Sequence, residues 1–127
     1  MNQTLNVLYF EDSMDYAYIL KRYLEKDPNN EYSIEHHDSL VKFKAQLGAN
    51  CYDLIISDLH LDNRDIFNTL SFLKENFPQT PVVIATGLES NSLKRIVEER
   101  NGFNYFCKDD IRKDFYQKIQ SIIKGKA

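Results

Sequence analysis

The sequence contains little of what would place it outside the ordinary globular proteins. Its 2 cysteines among 127 residues are too few for a disulfide framework. No apolar run approaches the ~20 residues that a membrane-spanning helix requires. The N-terminal letters M-N-Q-T-L-N lack the basic and apolar regions of a signal peptide. We therefore expect a cytoplasmic protein without membrane association.

Strong charge and linker segments are also absent. The net charge of −3 and the lack of a basic tract argue against a direct nucleic-acid partner. With 3 prolines and 4 glycines, the chain has no Pro/Gly/Ser linker, and it has no internal repeat. Because 43% of the residues are hydrophobic, the chain can bury a core. We expect a single domain over residues 1–127, with no separate output domain.

Short β-prone runs alternate with helical patterns along the chain. The β-prone runs lie at residues 6–10, 32–36, 54–57, 82–85 and 105–107. Apolar residues at helical spacing follow them, at residues 16–24, 39–47, 66–77, 90–100 and 115–123. The predicted apolar face of the first helix consists of Tyr16, Ile19, Leu20, Tyr23 and Leu24. This alternation is typical of a parallel sheet with helices on both faces, which binds ligands at the carboxyl ends of its strands.

Charged and hydroxyl side chains stand at four of these strand ends. Glu11 and Asp12 follow the first strand, Asp58 the third, Thr86 the fourth and Lys108 the fifth. In a parallel sheet all of these positions share one edge. Three carboxylates held together repel one another, so they require a cation or shifted pKa values. Mg²⁺ suits such a site because it prefers oxygen ligands from carboxylates, waters and phosphate.

Phosphoryl transfer is the chemistry that uses all of these groups. A carboxylate such as that of Asp58 can act as a nucleophile and form an aspartyl phosphate. Lys108 and Thr86 would then supply charge and a hydrogen bond to the phosphoryl oxygens. Taken singly, each residue has a structural explanation, since an acidic pair commonly caps a helix and Lys108 could form a surface ion pair. Their combined order favours the chemical interpretation.

This pattern resembles the receiver domain of two-component response regulators, of the stand-alone, chemotaxis-receiver-like type, over essentially the whole chain. The resemblance implies an α/β, flavodoxin-like doubly wound (βα)5 fold with a parallel sheet of order 2-1-3-4-5. It implies that Glu11, Asp12 and Asp58 bind Mg²⁺ and that Asp58 is the phosphoacceptor. It further implies that Thr86 is the switch hydroxyl, Lys108 the phosphate-binding lysine and Tyr105 the switch aromatic, and that the backbone carbonyl of His60 contacts the metal.

The same resemblance implies how the chain would work. It would be a switch that catalyses its own phosphorylation and dephosphorylation, and not an enzyme for a separate substrate. A sensor histidine kinase or phosphotransfer protein would supply the phosphoryl group. The fourth helix, at residues 90–100, the fifth strand and the fifth helix would bind a downstream protein or a second copy of the chain. The helix at 90–100 has the weakest apolar face, so we expect it to shift most easily.

Two positions depart from the receiver pattern. Receivers usually place a proline with a cis peptide bond after the lysine, whereas Asp109 follows Lys108 here. A cis bond without proline costs roughly 2.5–4 kcal/mol, so this loop is either trans and rebuilt or strained. The Pro-Gly turn that usually follows the third strand is replaced by Asp62-Asn63, which can also turn the chain.

Three other interpretations compete with the receiver. A binding module that is never phosphorylated has no need of the complete acidic, threonine and lysine set. A dehalogenase-like phosphatase also uses a strand-end aspartate, but it requires a second aspartate two residues later, where this chain has His60. A flavodoxin-type flavin carrier must bind phosphate in its first loop, which is the acidic E-D-S-M-D in this sequence.

Overall fold

A parallel sheet of five strands forms the centre of this computed structural model, which describes residues 3–38, 51–58, 66–87, 90–112 and 114–125. The strands are β1 (Gln3–Phe10), β2 (Asn30–His37), β3 (Leu54–Asp58), β4 (Val82–Thr86) and β5 (Asn104–Cys107). Their order is β2-β1-β3-β4-β5, and every neighbouring pair is parallel. The predicted doubly wound α/β fold and its strand order are therefore confirmed.

Helices follow the strands in the predicted alternation. In the part of the chain that the structure describes, they are α1 (Met14–Leu24), α2 (Ile66–Asn76), α3 (Asn91–Arg95) and α4 (Phe115–Gly125). A π-helical segment (Ile96–Arg100) continues α3, and a 3₁₀ turn (Lys108–Asp110) follows β5. The helix predicted at residues 39–47 lies outside the described residues. None of the described helices has both the length and the apolar character needed to cross a membrane.

The two faces of the sheet carry separate hydrophobic clusters, because alternate residues of a strand point to opposite faces. The cluster under α1 and α4 contains Val7, Tyr9, Ala17, Leu20, Leu24, Leu54, Ile56, Val83, Ala85, Phe115 and Ile119. The cluster under α2 and α3 contains Leu8, Phe10, Ile55, Leu70, Leu73, Val82, Ile84, Leu93 and Val97. Since helices cover both faces, the central strands are continuous apolar runs in the sequence.

The buried face of α1 differs from the predicted one. Leu20 and Leu24 are buried as expected, and the third buried residue is Ala17. Tyr16 and Ile19, which were predicted to face the core, are each 42% exposed. The prediction was wrong for these two residues because it followed the large side chains and passed over the small Ala17. The outer side of α1 therefore presents aromatic and aliphatic surface beside the carboxyl end of β1.

The helix predicted at residues 90–100 changes its geometry halfway along. Ser90 caps α3 by accepting a hydrogen bond from the Leu93 amide at 3.2 Å. From Ile96 onward the helix is π, and the Asn101 side-chain amide donates to the Ile96 carbonyl at 2.7 Å. Gly102, with a φ of +70°, then ends the helix as predicted. The α-helical part is shorter than expected because these wider turns replace its second half.

Asp27 joins three elements at the amino-terminal edge of the sheet. Its carboxylate accepts hydrogen bonds from the Tyr32 hydroxyl at 2.6 Å and the Gln120 side-chain amide at 2.7 Å. The backbone amides of Asn29 and Asn30 donate to it at 2.9 and 3.2 Å. Burial raises the pKa of Asp27, but these hydrogen bonds outweigh burial and lower the pKa to about 2. The ionised carboxylate thus connects the end of α1, the start of β2 and α4.

We predict that Asp27→Asn lowers the free energy of unfolding by about 1–3 kcal/mol at pH 7, because the amide cannot accept all of these bonds. The folded-state pKa lies below the usual ~3.9 of an aspartate. The carboxylate therefore stabilises the fold above about pH 4, and its contribution is lost as the pH falls toward 2. Urea denaturation at pH 7 and pH 3 measures the effect.

The difference in the free energy of unfolding between wild type and Asp27→Asn should be smaller at pH 3 than at pH 7. Glu31→Gln, which changes an exposed carboxylate in the same strand as Tyr32, serves as the control and should cost less than about 0.5 kcal/mol. A difference for Asp27→Asn that stays constant between the two pH values would contradict the role assigned to its charge.

Candidate functional site

Three carboxylates meet at the carboxyl edge of the sheet. Glu11 and Asp12 directly follow β1, and Asp58 is the last residue of the neighbouring strand β3. One oxygen atom from each carboxylate lies within 4.8 Å of the other two. Glu11 and Asp58 are buried and Asp12 is exposed, so one side of the group is open to solvent. This set of oxygen atoms fits a divalent cation such as Mg²⁺. His60, which was expected to add its carbonyl, lies outside the described residues.

Lys108 places its ammonium group between the two buried carboxylates. Its Nζ atom lies 2.8 Å from Glu11 Oε1 and 3.3 Å from Asp58 Oδ1. Burial lowers the pKa of Lys108, but the hydrogen bond to Glu11 and the charge of Asp58 outweigh burial, and the pKa is raised. Lys108 therefore stays protonated and offsets part of the negative charge of the three carboxylates.

The Glu11 carboxylate has further partners besides Lys108. The Ser13 amide donates to Oε2 at 3.1 Å, and the Tyr9 hydroxyl lies 3.4 Å from Oε1. Burial raises the pKa of Glu11 and the charge of Asp58 raises it further, while the hydrogen bonds from Lys108 and Ser13 lower it. The net effect is a raised pKa. The site thus favours a second positive charge near Glu11, which a bound cation would provide.

Two aromatic side chains, those of His36 and Tyr9, contact Glu11. The Nε2 atom of His36 lies 2.7 Å from the Glu11 carbonyl oxygen, and because a carbonyl can only accept, the ring nitrogen donates. The rings of His36 and Tyr9 pack with their centroids 5.3 Å apart. Burial, followed by the charges of Glu11 and Asp58, raises the pKa of Tyr9, so its hydroxyl remains a hydrogen-bond donor. His36 thus binds the backbone of Glu11, and Tyr9 binds its carboxylate.

Thr86 and Tyr105 stand next to this group of charged residues in the sheet. Thr86 is the last residue of β4 and is completely buried. Ala85, the residue before it, pairs in register with Asp58, so Thr86 lies one position beyond the carboxylate. Tyr105 pairs with Ile84 and is half-buried against the cluster under α2 and α3. Thr86 therefore lies at the end of its strand, as predicted, and Tyr105 lies within β5, three residues before Lys108.

A cavity of about 650 Å³ opens between α1 and the segment after β5. Glu11 and Lys108 form part of its wall together with Tyr9, Tyr16 and Ile111. The Lys108 ammonium faces the ring of Tyr16, with Nζ at 4.2 Å from the ring centroid. The charged group is thus bordered by solvent at Asp12 and by this cavity on the side of α1.

The arrangement can hold a cation and a phosphoryl group side by side. Three carboxylates supply the oxygen ligands that a hard divalent cation requires. The Asp58 carboxylate can act as a nucleophile toward phosphorus, and the protonated Lys108 beside it can stabilise the charge of a transferring phosphoryl group. The site therefore brings together a carboxylate that can act as a nucleophile, carboxylate oxygens that suit a cation, and the positive charge of Lys108.

Comparison with known protein families identifies the family that carries this set of residues. Residues 7–120 of the chain match the family described as the response regulator receiver domain. The chain belongs to this receiver family. The matched range includes every candidate residue from Glu11 to Lys108. The predicted family is therefore confirmed, and membership of it implies two-component signalling through a phosphorylated aspartate.

Individual relatives agree with the assignment. The transcriptional regulatory protein CiaR of Streptococcus pneumoniae is 33% identical over 87 residues, which are 65% of this chain and 36% of that protein. The similarity thus spans about a third of that relative's length.

Solved structures show the same fold. A CheY-like receiver domain protein from Methanospirillum hungatei has a TM-score of 0.80 at 17% identity, covering 97% of this chain and 96% of that one. A response regulator from Burkholderia pseudomallei, solved with a phosphorylated aspartic acid, a calcium ion and citrate, has a TM-score of 0.72 at 22% identity. That comparison covers 94% of this chain and 66% of the other.

In this receiver the loop after Lys108 begins with a 3₁₀ turn and has a trans peptide bond. No cis peptide bond occurs in the part of the chain that the structure describes, so the bond between Lys108 and Asp109 is trans. The Ile111 amide donates to the Lys108 carbonyl at 3.2 Å and closes the 3₁₀ turn. Arg112 Nε donates to the Asp109 carbonyl at 3.3 Å. Of the two possibilities for this loop, the structure has the trans one.

Three contacts of the receiver site were not predicted from sequence. Tyr9 precedes Glu11 by two residues, and this spacing places both side chains on the same face of a strand. His36 pairs with Tyr9 in register, so it could have been found only once the pairing of β1 and β2 was known. Tyr16 was assigned to the core, and its contact with Lys108 depends on the actual rotation of α1.

Proposed function

We propose that this receiver is a phosphorylation switch in which Asp58 accepts a phosphoryl group. Glu11, Asp12 and Asp58 would hold Mg²⁺, and Lys108 and Thr86 would contact the phosphoryl oxygens. The observation that carries the proposal is the position of the Lys108 ammonium, 3.3 Å from Asp58 Oδ1 and 2.8 Å from Glu11 Oε1. A fixed cation beside a carboxylate nucleophile suits the transfer of an anionic group.

The chemical step converts the Asp58 carboxylate into an acyl phosphate. One carboxylate oxygen forms a bond to phosphorus while the bond from phosphorus to a histidine nitrogen of the donor breaks, and that nitrogen keeps the electron pair. Lys108 remains charged and moves from Glu11 toward the phosphoryl oxygens. Water later cleaves the acyl phosphate, which restores the Asp58 carboxylate and releases inorganic phosphate.

The proposed metal site uses residues that are already in place. Glu11 and Asp58 are only 1% and 5% exposed, so their carboxylates lose little freedom when they become ligands. By resemblance to the family, the His60 carbonyl would be a further ligand. When bound, Mg²⁺ would neutralise clustered negative charge and polarise a phosphoryl oxygen. The phosphorylated aspartic acid and calcium ion of the Burkholderia pseudomallei regulator support a similar pairing here.

The proposal also covers the partners. The phosphoryl donor would be a sensor histidine kinase or a phosphotransfer protein, and the phosphorylated form would bind a downstream protein or a second copy of the chain. The chain would catalyse its own phosphorylation and dephosphorylation without processing a separate substrate. The net charge of −3 and the lack of a basic tract in the sequence give no support to a direct nucleic-acid partner.

We predict that incubation with a small phosphodonor and Mg²⁺ adds one phosphoryl group, and that Asp58→Asn abolishes the addition. The amide of the variant cannot form the acyl phosphate, while its similar shape preserves the fold. Intact mass measured over time gives the result. Asp109→Asn, which changes an exposed carboxylate near the site, is the control and should still be labelled. Equal labelling of Asp58→Asn and wild type would refute the assignment.

We further predict that Mg²⁺ stabilises the protein. At a Mg²⁺ concentration about ten times its Kd, binding to the folded state should add about 1.4 kcal/mol and raise Tm by about 4–8 °C. Asp12→Ala removes one ligand and should lose most of this increase, whereas Glu99→Gln, at an exposed position, should keep it. Differential scanning calorimetry measures the shift. A wild-type Tm that does not respond to Mg²⁺ would argue against the metal site.

The proposed output surface consists of α3 with its π-helical continuation, β5 and α4. Phosphate on Asp58 would draw the Thr86 hydroxyl inward, and the ring of Tyr105 would occupy the space that this movement leaves behind β4. Thr86 is completely buried and Tyr105 is half-buried, so the two side chains can exchange space at the end of the sheet. Such a pair provides the two-state element that a switch requires.

We predict that Thr86→Ala still takes up phosphate but that the conformational change at residues 86–115 is smaller than in wild type. Phosphorylation can shift the two states only through contacts that differ between them, and the variant lacks the hydroxyl that makes such a contact. In wild type, amide chemical-shift changes caused by a beryllium fluoride mimic of the phosphoryl group should concentrate at residues 86–115. In Thr86→Ala they should be confined to the loops at Asp12 and Asp58. A full response of Tyr105 in the variant would contradict this route.

A further inference from the structure

Tyr16 lies outside the group of residues that the receiver chemistry uses, yet its ring covers the ammonium of Lys108. Nζ is 4.2 Å from the ring centroid, well within the ~6 Å over which a cation is attracted to an aromatic face. The same Nζ atom makes its two contacts to Glu11 and Asp58. The ammonium is therefore enclosed by two carboxylates and one aromatic ring.

The position of the Tyr16 ring is set by the site itself. The Ser13 amide donates to Glu11 Oε2 at 3.1 Å, and the Ser13 hydroxyl accepts from the Tyr16 amide at 3.4 Å as the cap of α1. The Tyr16 ring then faces Lys108, and Lys108 returns to Glu11 Oε1. These four contacts form a closed circuit, which connects the start of α1 to the carboxylate that Lys108 binds.

A lysine needs such support more than other cations do. Its ammonium is a compact charge on a flexible chain of four methylene groups, so it can adopt many positions when it is not held. Tyr16 is 42% exposed and lines the cavity beside α1 together with Lys108, and its ring covers one side of the ammonium there. Removing the ring would leave Lys108 hydrated on this side and free to move away from Asp58.

We propose that Tyr16 is a positioning residue for Lys108, whose aromatic face holds the ammonium in reach of Asp58 and so speeds phosphoryl uptake. This inference rests on the proposed function. The contact that the ring makes with Lys108 is with a residue that is not one of the proposed metal ligands. Its loss should therefore slow the transfer of the phosphoryl group and leave Mg²⁺ affinity unchanged.

The test compares wild type with Tyr16→Phe, Tyr16→Leu and the control Tyr18→Leu. Phe keeps the aromatic face and Leu replaces it with an apolar side chain. Tyr18 is 64% exposed on the same helix, so its change controls for loss of surface tyrosine. Because Tyr16 and Tyr18 lie at the surface, we expect all variants to fold, and the Tm of each variant checks this. Phosphoryl uptake from a small phosphodonor at saturating Mg²⁺ is followed by intact mass.

Tyr16→Leu should take up phosphate about two- to fivefold more slowly, the change expected for loss of one partly exposed cation–π contact. Tyr16→Phe and Tyr18→Leu should match wild type. The Mg²⁺ concentration for half of the thermal shift should be the same in all four proteins. In NMR spectra of labelled lysine, the ε-methylene protons of Lys108 should be shifted upfield by the ring in wild type and Tyr16→Phe, and this shift should vanish in Tyr16→Leu.

Each alternative outcome is recognisable. A Tyr16→Leu variant as fast as wild type, or an upfield shift that persists in it, overturns the positioning role. A Tyr16→Phe variant as slow as Tyr16→Leu overturns it as well, since the hydroxyl would then be the active group. If Tyr16→Leu lost Mg²⁺ affinity as well as speed, the substitution would act on the carboxylates, and the positioning role would be wrong. If all four proteins fail to take up phosphate, the proposed function itself fails, which is distinct from any difference among the variants.

Discussion

The contact of one lysine with two buried carboxylates is the interaction on which the carboxyl edge of this sheet depends. Glu11 and Asp58 lie side by side at the ends of β1 and β3, and burying both is unfavourable unless a cation compensates their charge. Lys108 supplies that charge from the end of β5, so its side chain must pass the end of β4. Ala85, in the wall of the same cavity, is small enough to leave the path open.

Residues that also stabilise the neighbouring helix and strand hold Glu11 in place for this ion pair. Ser13 has two tasks, since its hydroxyl caps α1 and its amide holds the Glu11 carboxylate. The same residue thus stabilises the start of α1 and the position of the acid. On the other side of the carboxylate, His36 donates to the Glu11 carbonyl and couples the end of β1 to the edge strand β2. The site is held by elements that the fold needs for other reasons.

The fold and most of the site could be predicted because they depend on patterns that sequence displays directly. Continuous apolar runs such as Leu54 to Ile56 indicate burial on both faces, and the charged or hydroxyl residues that follow four of the five runs mark the carboxyl edge. The contact of Tyr16 with Lys108 could not be predicted, because it depends on the rotation of α1, which the small Ala17 decides. The π-helical turns before Asn101 were also missed, since a side-chain bond to a backbone carbonyl produces no periodic pattern.

Ala85 and Thr86 are neighbours in β4 but belong to opposite sides of the sheet. Ala85 is part of the cluster under α1 and α4, and strand alternation directs Thr86 to the side of α2 and α3. Glu11 and Asp58 come two residues after Tyr9 and Ile56 of the first cluster, so strand alternation places them on the side of α1 and α4. The two carboxylates and Thr86 therefore lie on opposite faces of the sheet, and the peptide bond between Ala85 and Thr86 is where the two faces adjoin.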